Sequence, residues 1–165
     1  RRVWELAEDI NSLYAGAPLV MVCVLKGAFM FFSDLVRRIT VDPEIDFVRT
    51  ASYGDSSLSS GNVYLTKDVE ISVAGKHVLL VEDVVDSGLT ADFLLRLMAA
   101  RGAKSLRLAV LIDKKERREV DVPIDFSGFT LASGFIVGYG LDYAEQFRGL
   151  PAIYLASFDK EHRPD

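Results

Sequence analysis

The stretch Val78 to Thr90, VLLVEDVVDSGLT, constrains the fold more than any other. Its aliphatic run, Val78 to Val81, is too short for a helix and fits a strand buried on both faces. Asp86-Ser87-Gly88-Leu89-Thr90 then opens a helical pattern that continues to about Arg101. A turn from the carboxyl end of a buried strand into a helix is the ligand-holding corner of an open α/β sheet, because its backbone N–H groups point outward unpaired and attract phosphate. A cradle for phosphate alone would avoid Glu82, Asp83 and Asp86. A ligand carrying both a phosphate and a polyol needs acceptors for hydroxyls beside donors for phosphate oxygens, and this turn offers both. The simpler alternative is a strand end followed by an Asp or Ser helix cap, with the acids merely solvated.

The rest of the chain alternates in the way that builds a parallel sheet. A helix is expected from about Arg2 to Tyr14, a break at Gly16-Ala17-Pro18, and a strand from Leu19 to Leu25. After the turn Lys26-Gly27-Ala28 come a helix from Phe29 to about Ile39, the break Asp42-Pro43 and a strand from Ile45 to Ser52. Tyr53 to Asn62 is rich in Ser and Gly, has little to bury, and is expected to be a mobile loop between paired strands. Val63 to Thr66 returns as a ribbon that Val69 to Val73 is expected to extend. Gly102 caps the central helix, and further strands are expected at Ser105 to Ile112, Ile124 to Phe129, Phe135 to Val137 and Ala152 to Ala156, before a polar tail from Asp159. A length of 165 residues and a hydrophobic content of 50% fit a single domain, residues 1–165. The chain begins at Arg1 with a helical pattern already under way at Val3, Leu6, Ile10 and Leu13, so an N-terminal piece is expected to be missing.

Composition removes several classes of function. A net charge of −5 argues against general attraction to nucleic acid, which demands clustered Lys and Arg. No apolar run reaches the roughly 18 to 20 residues that span a bilayer, and no segment resembles a signal peptide, so no membrane association and a cytoplasmic location are expected. Cys23, the only cysteine, lies in a strand pattern and reads as a core thiol. His77 and His162 lack partners at metal-ligand spacing, and no zinc site is expected. An anionic substrate must then be held by local groups and a divalent cation.

Three further segments carry chemistry. Leu25-Lys26-Gly27-Ala28 turns at a strand's carboxyl end, where a glycine permits close backbone approach to an anion and a lysine adds a mobile charge; alone it could be an ordinary strand-to-helix turn. In Asp113-Lys114-Lys115-Glu116-Arg117-Arg118, Lys114 sits where a strand ends. Its ammonium could donate to a carbonyl oxygen but would repel an exocyclic amine, while Lys115, Arg117 and Arg118 read as solvated. In Gly134-Phe135-Ile136-Val137-Gly138-Tyr139-Gly140-Leu141-Asp142-Tyr143, continuing to Arg148, Phe135 offers a π face, Asp142 a cation-binding carboxylate and Arg148 a phosphate-binding guanidinium. Alone, Phe135 reads more often as a core aromatic and Arg148 as a surface charge.

The acid-rich turn resembles the phosphoribosyl pyrophosphate signature of type I phosphoribosyltransferases, and neither common nucleotide fingerprint, the P-loop nor the dinucleotide glycine motif, is present. With VGYGLDY and Lys114, the chain resembles the hypoxanthine-guanine phosphoribosyltransferases over nearly its whole length, the bacterial hypoxanthine enzymes most. That resemblance implies an α/β fold with a central, mainly parallel sheet flanked by helices, a small hood and a flexible loop. It implies a purine salvage transferase that moves the 5-phosphoribosyl group from phosphoribosyl pyrophosphate to N9 of hypoxanthine or guanine with Mg²⁺, and a homodimer or homotetramer. By position, Glu82 and Asp83 match the acids holding the ribose hydroxyls directly or through Mg²⁺. Asp86 matches the general base near N7, and Asp86, Ser87, Gly88, Leu89 and Thr90 match the 5′-phosphate loop. Lys114 matches the reader of O6, Phe135 the stacking aromatic, and Ile136 the residue whose backbone meets the base edge. Asp142 matches the acid at a second metal, Arg148 the pyrophosphate arginine, Lys26-Gly27 the pyrophosphate loop with its cis peptide, and Ser52-Tyr53 the start of the closing loop. Ala28, Leu89 and Gly134 depart from the commonest pattern. A nucleotide-sensing regulator, or a weakly active purine-binding paralogue on the same fold, is the alternative.

Overall fold

The computed structural model describes residues 1–52 and 63–157; the expected loop from Tyr53 to Asn62 and the tail from 158 lie outside the described residues. Helices α1 (Arg2–Tyr14), α2 (Phe29–Val36) and α3 (Leu89–Ala100) are interleaved with strands β1 (Leu19–Leu25), β2 (Glu44–Ser52), β3 (Val63–Lys67), β4 (His77–Val85), β5 (Ser105–Lys114), β6 (Phe126–Leu131), β7 (Phe135–Val137) and β8 (Tyr154–Ala156). Six strands form one sheet in the order β3-β2-β1-β4-β5-β6, and β7 and β8 form a separate ribbon. All neighbours in the sheet are parallel except β2 and β3, which are antiparallel with Ser52 opposite Val63.

The aliphatic runs are continuous because both faces of the central strands are covered. Successive side chains alternate between faces. Met21, Cys23, Leu79, Val81, Ala109 and Leu111 join a core with α1 and α2. Val20, Val22, Val78, Leu80, Leu108 and Val110 join a second core with α3. Cys23 is fully buried, and burial pushes its thiol up to about 12.

Several boundaries differ from the sequence expectation: β8 starts at Tyr154 rather than Ala152, and four other differences have an evident structural reason. Helix α2 stops at Val36 rather than Ile39, because Asn11 of α1 takes over the backbone there: its Nδ2 donates to Arg38 O at 2.9 Å and its Oδ1 accepts from Thr40 N at 2.8 Å. Val69 to Val73 form no strand. The buried carboxylate of Asp46 accepts the N–H groups of Glu70 at 2.6 Å and Ile71 at 2.8 Å, replacing a ladder. Burial opposes ionisation of Asp46, but these bonds outweigh it and hold its carboxyl below the ordinary range. Strand β6 starts two residues late, because Asp125 is used as a polar clip on Arg107 and Leu108 N. Strand β5 runs on through Lys114, which pairs with Leu131 of β6.

The chain leaves β1 through α2 towards one edge of the sheet and leaves β4 through α3 towards the other. The connections therefore diverge between β1 and β4, opening a crevice beyond the carboxyl ends of these strands.

Candidate active site

At the end of β1 the Leu25–Lys26 peptide is cis, as the resemblance implies. The following Gly27 is a spacer between three segments. A Cβ there would fall 1.7 Å from Asp83 Oδ2, and a Cβ on Gly140 would fall 2.1 Å from Gly27 O. Only chains lacking side chains at 27 and 140 allow Asp83, the β1 turn and the Gly138-Tyr139-Gly140 turn to stack this closely. Gly140, with φ of +101°, also needs a conformation that L side chains rarely adopt.

Beyond β4 the loop from Val85 to Gly88 leads into α3. Gly88 has φ of +87°, and a Cβ on it would meet Val120 O at 2.2 Å. Ser87 O accepts from the N–H groups of both Glu119 and Val120 at 2.9 Å, so the loop is pressed against the 118–120 segment. A cavity of about 120 Å³ is lined by Glu82, Val84, Val85, Asp86, Ser87, Gly88, Thr90 and Ala91. It opens at the N-terminus of α3, where unpaired N–H groups favour an anion. Leu89 begins the helix and does not line the cavity, although its N–H faces Ser87 Oγ at 3.3 Å. A second, larger cavity of about 860 Å³ lies between α1, α2 and the 139–153 segment; Tyr139 of the VGYGLDY motif lines it, but none of the site residues expected from sequence does.

Glu82 and Asp83 are both desolvated at the strand end. Burial pushes the Glu82 carboxyl up to about 8, with the charge of Asp83 adding to the effect. Burial likewise raises Asp83 to about 6, against its backbone hydrogen bonds and the nearby Arg148. Groups raised on folding add stability that is present below their unfolded values near 4 and is lost as pH rises through 6 and 8. Depressed acids such as Asp46 and Asp113 act in the opposite sense, below about pH 4. In metal-free buffer the melting temperature is thus expected to fall between pH 5 and 8, and Glu82→Gln to flatten that fall. Parallel profiles for the two proteins would show that Glu82 is not titrating in this window.

Lys114 is 9% exposed, and its Nζ lies 3.4 Å from Asp86 Oδ2 and 3.4 Å from Glu116 Oε2. Asp86 Oδ1 is buried with no hydrogen-bond partner among the described residues. Glu116 in turn accepts from Gly134 N at 3.2 Å, linking Lys114 to the β7–β8 ribbon. On that ribbon Phe135 is partly buried, edge-on to Tyr143 at 5.5 Å, and Ile136 pairs with Leu155 while packing on the α1–α2 core. Lys115 and Arg117 are exposed, as expected. Arg118 is not: its side chain is 13% exposed and bonds to the ends of β4 and β5. The charged run concealed it, because nothing in the local pattern separates a folded-back arginine from a solvated one.

Arg148 and Asp142 are paired at 2.8 Å, and Arg148 Nη1 donates to Gly140 O at 2.9 Å. Glu145, which sequence did not single out, lies 2.9 Å from Lys26 Nζ and 3.4 Å from Arg148 Nη2. The bond from Lys26 chiefly holds the Glu145 carboxyl below its ordinary range. The two cations expected to meet an anion thus converge on one carboxylate. Ser52 ends β2 on the same side of the sheet, while Tyr53 lies outside the described residues.

Residues 1–144 match the phosphoribosyl transferase domain family. The chain belongs to that family. Among curated relatives of this phosphoribosyltransferase, the hypoxanthine phosphoribosyltransferase of Buchnera aphidicola is 44% identical over 161 residues, covering 96% of this chain and 91% of the relative. The hypoxanthine-guanine phosphoribosyltransferase of Bacillus subtilis is 44% identical over 153 residues, covering 93% and 85%. A crystal structure of a hypoxanthine-guanine phosphoribosyltransferase from Bacillus anthracis superposes with a TM-score of 0.89 at 43% identity, covering 94% of this chain and 92% of that one. The central, mostly parallel sheet and its flanking helices are the type I phosphoribosyltransferase fold. No helix among the described residues is long and apolar enough to cross a membrane.

Proposed function

We propose that this phosphoribosyltransferase transfers the 5-phosphoribosyl group of phosphoribosyl pyrophosphate to N9 of hypoxanthine or guanine, releasing pyrophosphate and the purine nucleotide. The observation that carries the choice of base is the 3.4 Å approach of Lys114 Nζ to Asp86. O6 and N7 share one edge of a 6-oxopurine, so the group that reads the oxygen and the group that takes the N7 proton must be neighbours. An ammonium donates to O6 but repels the amine of adenine.

In this reading the 5′-phosphate enters the cavity at Ser87, Gly88 and Thr90, with Leu89 contributing backbone alone. Glu82 and Asp83 accept the ribose hydroxyls, Phe135 stacks on the base, and the Ile136 backbone meets its edge. N9 attacks C1′, the bond to pyrophosphate breaks, and Asp86 Oδ1 takes the proton from N7. Lys26, the Gly27 amide and Arg148 take up the leaving charge, and Ser52 stands at the edge of the site where the segment beginning with Tyr53 leaves β2.

Magnesium fits the donor set. Glu82, Asp83 and Asp142 are oxygen donors, two of them desolvated with raised pKa values, so a cation would relieve their repulsion. No cluster of three such groups exists among the described residues, but Mg²⁺ characteristically takes one or two carboxylates and completes its shell with water and substrate oxygens. It would neutralise charge on the pyrophosphate. The reading includes a cytoplasmic homodimer or homotetramer, for which exposed Trp4, Leu13, Ile45 and Phe129 offer apolar surface.

The test is Mg²⁺-dependent pyrophosphate release with hypoxanthine, guanine, xanthine, adenine and orotate as separate acceptors. Turnover with hypoxanthine or guanine but not adenine is expected. Equal turnover with adenine would remove the role given to Lys114, and none with any base would remove the reading.

A further inference from the structure

Arg118 follows Lys114 by four positions and folds back beneath it. Its Nε donates to Asp86 O at 2.9 Å, and its Nη2 donates to Val85 O at 3.0 Å, Lys114 O at 3.0 Å and Asp113 Oδ1 at 2.7 Å. These acceptors belong to two different strand ends, β4 with Asp86 and β5 with Lys114. The planar fork of a guanidinium suits such a task, since its donors diverge from one rigid group. Asp113 is the counter-charge that keeps it there. Burial opposes the ionisation of Asp113, yet hydrogen bonds from Lys115 and Arg118 keep its carboxyl below the ordinary range.

The clasp lies at the limit of the sheet. Strand pairing between β4 and β5 ends at Val85 opposite Asp113, so no ladder holds Asp86 O or fixes how far Asp86 stands from Lys114. Arg118 supplies the missing connection, and Glu119 N and Val120 N continue it onto Ser87 O.

We propose that Arg118 is a positioning residue for phosphoribosyl transfer, setting the spacing between Asp86 and Lys114 and holding the 5′-phosphate loop against the 118–120 segment. The proposal rests on the roles given above to Asp86 and Lys114. Arg118 touches no reacting atom. Its loss displaces two groups that act together on one edge of the base, while the sheet beneath keeps its ladder.

The experiment compares Arg118→Ala, Arg118→Lys and, as a neighbouring exposed control, Arg117→Ala, by thermal unfolding and by steady-state kinetics with hypoxanthine. For Arg118→Ala, kcat is expected to fall about 100-fold, the cost of a misplacement near 1 Å, while the KM for phosphoribosyl pyrophosphate changes less. Millimolar guanidinium should restore part of the lost kcat in Arg118→Ala and leave Arg117→Ala unchanged. Arg118→Lys keeps a charge against Asp113 but cannot reach both strand ends, so it should fold and still lose most of the turnover; it decides the matter if Arg118→Ala does not melt cooperatively. A folded Arg118 variant with kcat within about twofold of wild type overturns the proposal. So does an activity loss that follows the unfolded fraction and ignores guanidinium. Wild-type protein inactive on every base would overturn the roles of Asp86 and Lys114 and this proposal with them; active wild type beside unaffected Arg118 variants would overturn this proposal alone.

Discussion

Replacing Asp86 with Asn is expected to lower turnover with hypoxanthine by about 10²- to 10⁴-fold while nucleotide binding weakens only modestly. The substitution keeps shape and one acceptor oxygen but removes the basicity needed to accept the N7 proton as the N9–C1′ bond forms. Asp86 is the acid suited to this, because its Oδ1 is buried without a partner among the described residues while its Oδ2 faces Lys114. The measurement is kcat for the forward reaction beside the Kd of the product nucleotide. Unchanged turnover would remove the general-base assignment, and a loss of binding as large as the loss of kcat would make Asp86 a ligand-holding group instead.

Gly27→Ala is expected to cost about 100-fold in kcat/KM for phosphoribosyl pyrophosphate. The added methyl would stand 1.7 Å from Asp83 Oδ2 and 2.5 Å from its Cγ, so either the acid or the turn must move. Asp83 has a short side chain on a strand fixed between β1 and β5, and its freedom to yield is small. The turn has little room to retreat towards Gly140, where even a Cβ would fall 2.1 Å from Gly27 O. Overpacking of this kind costs about 1–3 kcal/mol, so the variant should still fold, with a lowered melting temperature. Steady-state kinetics with varied phosphoribosyl pyrophosphate, next to a thermal melt, checks this. A folded variant with unaltered kcat/KM would mean that Asp83 and the β1 turn do not form one binding surface.

Much of this arrangement was legible in the sequence because strand ends announce themselves. A buried run that meets Lys26-Gly27, or Glu82-Asp83 and then Asp86 to Thr90, terminates at the sheet's carboxyl edge, and apart from the strand expected at Val69 to Val73, which does not form, the helices and strands fall within a few residues of expectation. What sequence could not give depends on side chains reaching across the fold. Asn11 shortening α2, Asp46 holding the 70–71 backbone, and Arg118 turning inward are decisions made by partners distant in the chain. Glu145 escaped notice for the same reason: its significance is its distance to Lys26, 119 residues earlier.

The divergence of the chain between β1 and β4 has a consequence for how activity is acquired during folding. Lys26, Asp83, Asp86 and Lys114 stand at or just beyond the ends of strands that become neighbours only when crossovers close in opposite directions, and Arg148 arrives from beyond the last of them. Such non-local pairing is paid for in loop entropy before it is rewarded, which makes it slow. The phosphate cavity comes from the single segment 82–91, but the groups for pyrophosphate and base come from the other strand ends, so nucleotide binding at full affinity should appear during refolding together with completion of the sheet rather than before it.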